Sequence, residues 1–216
     1  HWTMPSCCGG EGYDAVFGAG FARRQARRYR KHGLNATALR MVDYLEGRGI
    51  DGASVLEIGG GVGEIQLELL RRGAAHATNL EIASTYEDQA RQLIARDGMT
   101  GRVSRRLLDI AQEPDGVEPA DIVVLHRVVC CYPDYERLLS AAAGRARRML
   151  VFSHPPDHLL SRAALWVENS YLRLRGRSFR AFVHPPDAMV AVLADAGLTA
   201  HYRHRGSAWC VVGLQR

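Results

Sequence analysis

Lysine is almost missing from this chain: Lys31 stands alone among 28 basic residues, so nearly all the positive charge is carried by arginine. Long apolar runs are missing too. The most apolar stretches are as short as Asp121 to Leu125, far below the ~20 residues of a membrane span, and no membrane partner is expected. No secretory leader is read before the fold, and Met4 is expected to be the native start. The cysteines are few and oddly placed. Cys7-Cys8, Cys130-Cys131 and Cys210 give an odd count with two adjacent pairs and no C-x-x-C spacing. That pattern excludes a disulfide framework and points to the cytoplasm, with reduced thiols and no bound metal. Internal repeats, low-complexity linkers and a recognisable nucleophile–base dyad are absent as well.

What is present suits one soluble α/β domain. A chain of 216 residues with 47% hydrophobic and 24% charged residues has room for a single sizeable core and little more. Up to about Gly20 the sequence is glycine-rich and reads as irregular. Helices are expected over 21–32 and 34–47, with Gly33 between them. Alternation then begins: strand 53–58, helix 62–72, strand 75–81, helix 84–97, strands 103–108 and 121–126, helix 134–143, strand 149–153. Helical stretches at 157–174 and 187–196 follow, and 198–204 with 208–214 reads as a hairpin about Gly206-Ser207. The unbroken Ile-Val-Val-Leu of the fourth strand suits a strand buried on both faces. The expected fold is therefore a doubly wound, mostly parallel seven-stranded α/β sheet with a C-terminal antiparallel hairpin and an N-terminal helical cap. Residues 1–52 form the N-terminal segment and cap, and 53–216 the Rossmann-like unit.

The sharpest motif is Val55-Leu-Glu-Ile-Gly-Gly-Gly-Val-Gly63, where the first core strand turns into a helix. Glu57, Gly59, Gly61 and Gly63 alternate with other residues, and glycines there let backbone amides approach a ligand closely. A carboxylate before the glycines would repel a pyrophosphate, which disfavours NAD and FAD. Glu81 ends the second strand, where an acid can accept both hydroxyls of a ribose, and Ile82 follows it. Asp109 and Ile110 follow the third strand. The E-x-G-x-G-x-G spacing resembles motif I of class I S-adenosylmethionine-dependent methyltransferases. That resemblance implies S-adenosylmethionine as cofactor, Glu57 near its methionyl ammonium, Glu81 on its ribose, and Asp109 and Ile110 at its adenine.

Ligands of a doubly wound sheet sit beyond the carboxyl ends of the strands. His126 ends the fourth strand, His154 the fifth, and His184 heads the second copy of a repeated His-Pro-Pro-Asp tetrapeptide (154–157 and 184–187). Two prolines and an aspartate are helix-start chemistry, but the histidines are not explained that way. His126, His154 and His184 are thus the candidates for catalysis or substrate contact, with His126 also bordering the cofactor. Val128 to Asp134, Phe152-Ser-His-Pro-Pro156, Gly176 to His184 and Ser207-Ala-Trp209 are together similar to magnesium-protoporphyrin IX O-methyltransferases, over about Ala53 to Arg216.

The expected activity is methyl transfer to a small-molecule acceptor by in-line displacement. One alternative is an RNA or protein methyltransferase using the run Arg23, Arg24, Arg27, Arg28, Arg30 and Lys31. The simpler reading of that run is a solvated helix face. Nucleic acid is disfavoured because the fourth strand lacks an N/D-P-P-Y/F motif and no appended RNA-binding domain fits. A metalloid or thiol methyltransferase using the paired cysteines is a further alternative, and a non-catalytic cofactor-binding protein another. Oligomeric state is open.

Overall fold

The computed structural model describes residues 10–216. One sheet is built from β1 (Ser54–Ile58), β2 (His76–Glu81), β3 (Val103–Leu107), β4 (Ala120–Leu125), β5 (Ala146–His154), β6 (Thr199–His204) and β7 (Cys210–Gln215). Its order is β3-β2-β1-β4-β5-β7-β6, with β1 to β5 parallel and β7 antiparallel to both β5 and β6. The helices are α1 (Gly10–Val16), α2 (Ala19–His32), α3 (Ala36–Glu46), α4 (Glu64–Arg71), α5 (Glu87–Arg96), α6 (Tyr135–Gly144), α7 (Leu159–Leu174) and α8 (Pro186–Asp195). The strand order reverses between β1 and β4, and a crevice opens above that point.

Period-two alternation explains the unbroken apolar strands. In β4, Val123 and Leu125 face α6 and α8, whereas Ile122 and Val124 face α3 and α4. β1 divides in the same way, with Leu56 and Ile58 on one face and Val55 on the other. A one-residue slip would exchange the two sets, so the register is strongly fixed. Ser54 and Asp121 lock it at the far end of the strands. The Ser54 amide and hydroxyl donate to Asp121 Oδ2 at 2.9 and 2.8 Å, and the Asp121 amide donates to Ser54 Oγ at 2.9 Å. These bonds hold the Asp121 carboxyl below its ordinary range.

Of the N-terminal helices, α3 belongs to the sheet: Met41, Val42 and Leu45 pack on Val55, Ile122 and Val151. α1 and α2 reach over the crevice. The structure corrects the irregular reading of 10–20, because α1 is helical and α2 already begins at Ala19. Gly10 and Gly12 lower its intrinsic helix propensity, but tertiary contacts prevail. Tyr13 and Phe17 meet the Phe179 ring at centroid distances of 5.7 and 5.3 Å.

The repeated tetrapeptide is not structurally equivalent in its two copies. Pro185, Pro186 and Asp187 do start α8. After Pro155, Pro156 and Asp157, by contrast, α7 begins only at Leu159, capped by His158 Nδ1 accepting from the Ser161 amide at 3.1 Å. No helix of the described residues is long and apolar enough to cross a membrane.

Candidate active site

The turn after β1 explains why glycines stand there. Gly59, Gly61 and Gly63 adopt φ of 62°, 55° and 83°, which side chains other than glycine rarely take. Gly60 lacks space instead: a Cβ would run into the Asn79 side chain and lie 2.7 Å from Glu57 Cδ. Gly59, Gly60 and Gly61 line a cleft of about 340 Å³ at the strand-order reversal, while Gly63 caps α4 behind them.

Beneath the loop lies a nest of buried polar groups. Glu57 is only 2% exposed, and its Oε2 accepts from the Gln66 amide in the first turn of α4 at 3.2 Å. Burial dominates its chemistry and pushes its carboxyl up to about 8. Glu81 spans two backbone segments. Its Oε2 accepts from the Gly61 amide at 2.8 Å, and its Oε1 from the Ile82 and Ala83 amides at 2.8 and 3.0 Å. Burial raises its pKa while these amides pull it down. Glu57, Glu81, Ile82, Asp109 and Ile110 all border the same cleft. Asp109 Oδ2 accepts from the Tyr132 hydroxyl at 2.8 Å, and Oδ1 from the Ala111 amide at 3.0 Å.

Among the three histidines, His126 lines the cleft; His154 and His184 do not. Asn35 caps α3 through Oδ1, which accepts from the Thr37 and Ala38 amides at 3.0 Å each. Its Nδ2 is thereby turned toward His126 Nε2 at 3.4 Å. An amide nitrogen can only donate, so Nε2 accepts and Nδ1 carries the proton, which it donates to Ser153 Oγ at 3.0 Å. Burial, reinforced by the Arg127 guanidinium, pushes the imidazole down to about 3. It is therefore neutral at physiological pH.

Arg127 follows in a left-handed conformation, φ 60°, unique among described non-glycine residues and a strain of roughly 1–3 kcal/mol. Its amide donates to the same Ser153 Oγ at 2.9 Å, and its guanidinium lies 4.7 Å from the Trp209 ring centroid. His154 instead packs near the Phe152 ring, with Nδ1 2.8 Å from the Pro155 carbonyl. His184 Nε2 lies 2.9 Å from the Tyr132 carbonyl and its ring stacks on Phe182. Burial lowers the pKa of both histidines.

The opposite wall is aromatic and basic. Tyr13, Phe17 and Phe21 close the cleft from α1 and its junction with α2, and Arg24, Gln25 and Arg28 reach in from α2. The basic run is thus divided: all six residues are exposed, but of them only Arg24 and Arg28 border the cleft. Arg28 and Arg127 both act on the buried Glu64 carboxyl, opposing the upward push of burial. Cys131 borders the cleft, with its sulfur 3.7 Å from that of Cys130. No cluster of three or more metal-ligating side chains occurs among the described residues, and Cys7 and Cys8 lie outside them.

Sequence reasoning missed Asn35, Ser153, Tyr86 and the α1 aromatics. Asn35 carried a visible helix-cap signal, but nothing in the sequence aimed its other amide atom at His126. Tyr86, which lines the cleft, lay inside an expected helix.

A methyltransferase-domain family model matches residues 24–202. No curated protein matches the sequence. Among solved structures, magnesium protoporphyrin IX methyltransferase from Synechocystis PCC 6803, with bound S-adenosylhomocysteine, is 20% identical with a TM-score of 0.74, covering 94% of this chain and 97% of that one. An O-methyltransferase family protein from Burkholderia thailandensis is 19% identical with a TM-score of 0.72, covering 94% and 62%. An N-methyltransferase from Bradyrhizobium japonicum WM9 is 15% identical with a TM-score of 0.60, covering 83% and 85%. These three share the fold. With the family model spanning most of the chain, from α2 into β6, this protein belongs to the methyltransferase domain family.

Proposed function

We propose that this enzyme carries the methyl group of S-adenosylmethionine to a small-molecule acceptor held between the glycine turn and the α1–α2 cap. One observation carries the reading: two buried carboxylates, a close-approach glycine turn and an aromatic wall border one cleft. The residues suit the cofactor and not a dinucleotide. Glu57, held protonated by burial, would offer a pyrophosphate no cation and would be re-ionised by an approaching ammonium, whereas Glu81, with three of its lone pairs on backbone amides, keeps one on Oε2 for a ribose hydroxyl. Gly61 keeps the backbone bare on the cleft side, where a Cβ would meet the lining residues Tyr86 and Gln25. Asp109 and Ile110 border the adenine end. When bound, the sulfonium would supply an activated methyl group, to which the acceptor would bond in line as the methyl–sulfur bond breaks and S-adenosylhomocysteine leaves.

The chain's own contribution is positioning, which can supply roughly 7–11 kcal/mol of the barrier. His126 presents a neutral imidazole fixed by Asn35 and Ser153, so it orients the acceptor rather than storing a proton. The acceptor's proton leaves to solvent. His184, outside the cleft, steadies the lining residue Tyr132 through its carbonyl, whereas His154 reaches only the Pro155 carbonyl beside it and is given no role in the transfer. The magnesium protoporphyrin IX methyltransferase of the same fold supports the small-molecule class. The test is transfer of a labelled methyl group into a size-fractionated cell extract. Label in the low-mass fraction is expected; label confined to RNA or protein would overturn the reading.

A further inference from the structure

Helix α7 buries none of its residues. It is fastened to the body by Asn169, whose Nδ2 donates to the Ala181 carbonyl and whose Oδ1 accepts from the Ala181 amide, both at 2.8 Å. Leu165 and Leu172 lie on the same side and pack beside Tyr13, Phe179 and Ala181. The remaining apolar residues are turned away from the protein. Leu159, Leu160, Trp166, Val167, Tyr171 and Leu174 are between 55% and 87% exposed. At 3.6 residues per turn they fall within an arc of about 140°, opposite Leu165 and Leu172. No charged residue interrupts that arc. Arg162 and Arg173 border it on one edge and Glu168 on the other.

The segment is also strongly basic. From Asp157 to Arg180 there are five arginines (Arg162, Arg173, Arg175, Arg177 and Arg180) against two acids, Asp157 and Glu168. One arginine, Arg162, is paired with Asp157 at 2.7 Å. Arg175 lies over the Tyr171 ring at 5.4 Å.

We propose that α7 lies on an anionic phospholipid surface, with its apolar arc in the acyl boundary and its arginines at the headgroups. Charge complementarity selects this occupant. A second copy of the chain would bring two arginine-rich segments together, which like-charge repulsion opposes. An acidic protein would satisfy the charge, but the arc offers as polar anchors only Ser170, the Trp166 indole and the Tyr171 hydroxyl. The last two are the amphipathic groups that favour a bilayer interface. No helix of the described residues is long and apolar enough to cross a bilayer, and lying on one needs no such length. Tyr13 joins α7 to the cleft, since it packs with Leu165 and Leu172 and also lines the cleft wall. A bound surface therefore lies beside the entrance.

The experiment uses the whole chain with vesicles of phosphatidylcholine alone and of an equal mixture with phosphatidylglycerol. Co-sedimentation is expected to be about tenfold or more stronger on the anionic vesicles and to weaken with salt. Brominated acyl chains are expected to quench the fluorescence of Trp166, and Trp166→Phe to remove that quenching. The double variant Leu160→Glu/Val167→Glu is expected to lose binding about tenfold or more while still binding S-adenosylhomocysteine. No sedimentation with anionic vesicles, equal sedimentation of the double variant, or no quenching from Trp166 would each overturn the proposal. A wild-type dimer that the double variant converts to monomer would do so too, by showing a second copy on this face.

Discussion

The glycine turn after β1 and the helices α1 and α2 face each other across one cleft, but they hold their shape by different means. The first wall is made of buried backbone: Glu81 accepts from three amides, and Gly60 abuts Asn79 and Glu57, both buried. The second is made of side chains resting on one another, Tyr13 and Phe17 against Phe179 and Tyr86, with Arg24 and Arg28 otherwise exposed. A cofactor common to a whole family calls for fixed dipoles, whereas an acceptor calls for a replaceable surface. Substitutions in the first wall are therefore expected to be costly, and those in the second selective.

The largest effect is expected at Gly60. Gly60→Ala places a Cβ where neither Asn79 nor Glu57 can yield, costing roughly 1–3 kcal/mol and abolishing measurable cofactor binding. Thermal unfolding and calorimetry check both. A variant that binds normally would mean that the first wall is adaptable. His126→Ala comes next, with kcat lower by roughly 100-fold through lost positioning and cofactor affinity nearly unchanged. Because burial holds the imidazole at about 3, wild-type kcat is expected to show no ionisation in the ordinary histidine range. A histidine-like step abolished by His126→Ala would make it a proton acceptor instead.

Glu81→Ala leaves the Gly61, Ile82 and Ala83 amides without their acceptor and is expected to weaken S-adenosylhomocysteine binding about 10- to 100-fold. An unchanged affinity in a folded variant would remove Glu81 from the first wall. A further test concerns Glu57 and pH. Its folded pKa of about 8 stands above its ordinary 4.5, so the folded chain keeps a proton that the unfolded chain sheds. Stability is therefore lost as pH rises through that window. Glu57→Gln is expected to flatten this decline, as read by denaturant unfolding at several pH values. A parallel decline in both proteins would assign it elsewhere.

Most of the first wall was legible in the sequence. Glu57 lies in the first strand and Glu81 ends the second, the glycines and the Asp109-Ile110 pair follow the first and third, and chain order alone places strand ends together in a doubly wound sheet. The helices were readable too, the first two from Gly33 between them. The second wall was not. α1 was hidden because glycine density outweighed two aromatics whose partners, Phe179 and Tyr86, lie far along the chain. The division of the basic run was equally hidden, since periodicity shows a basic face but not what stands opposite. The tautomer of His126 depends on Asn35 and Ser153, 91 and 27 residues away, and local spacing carries no trace of either. The outward face of α7 escaped for a related reason: an apolar stripe in a sequence does not say whether the body of the protein covers it.

The most direct test of the account is calorimetric titration of the whole chain with S-adenosylhomocysteine and, separately, with NAD. Carboxylates at Glu57 and Glu81 beside a glycine turn predict one S-adenosylhomocysteine site per chain and no binding of NAD. Equal or tighter binding of NAD would contradict the assignment of the first wall, and with it the reading of the cleft.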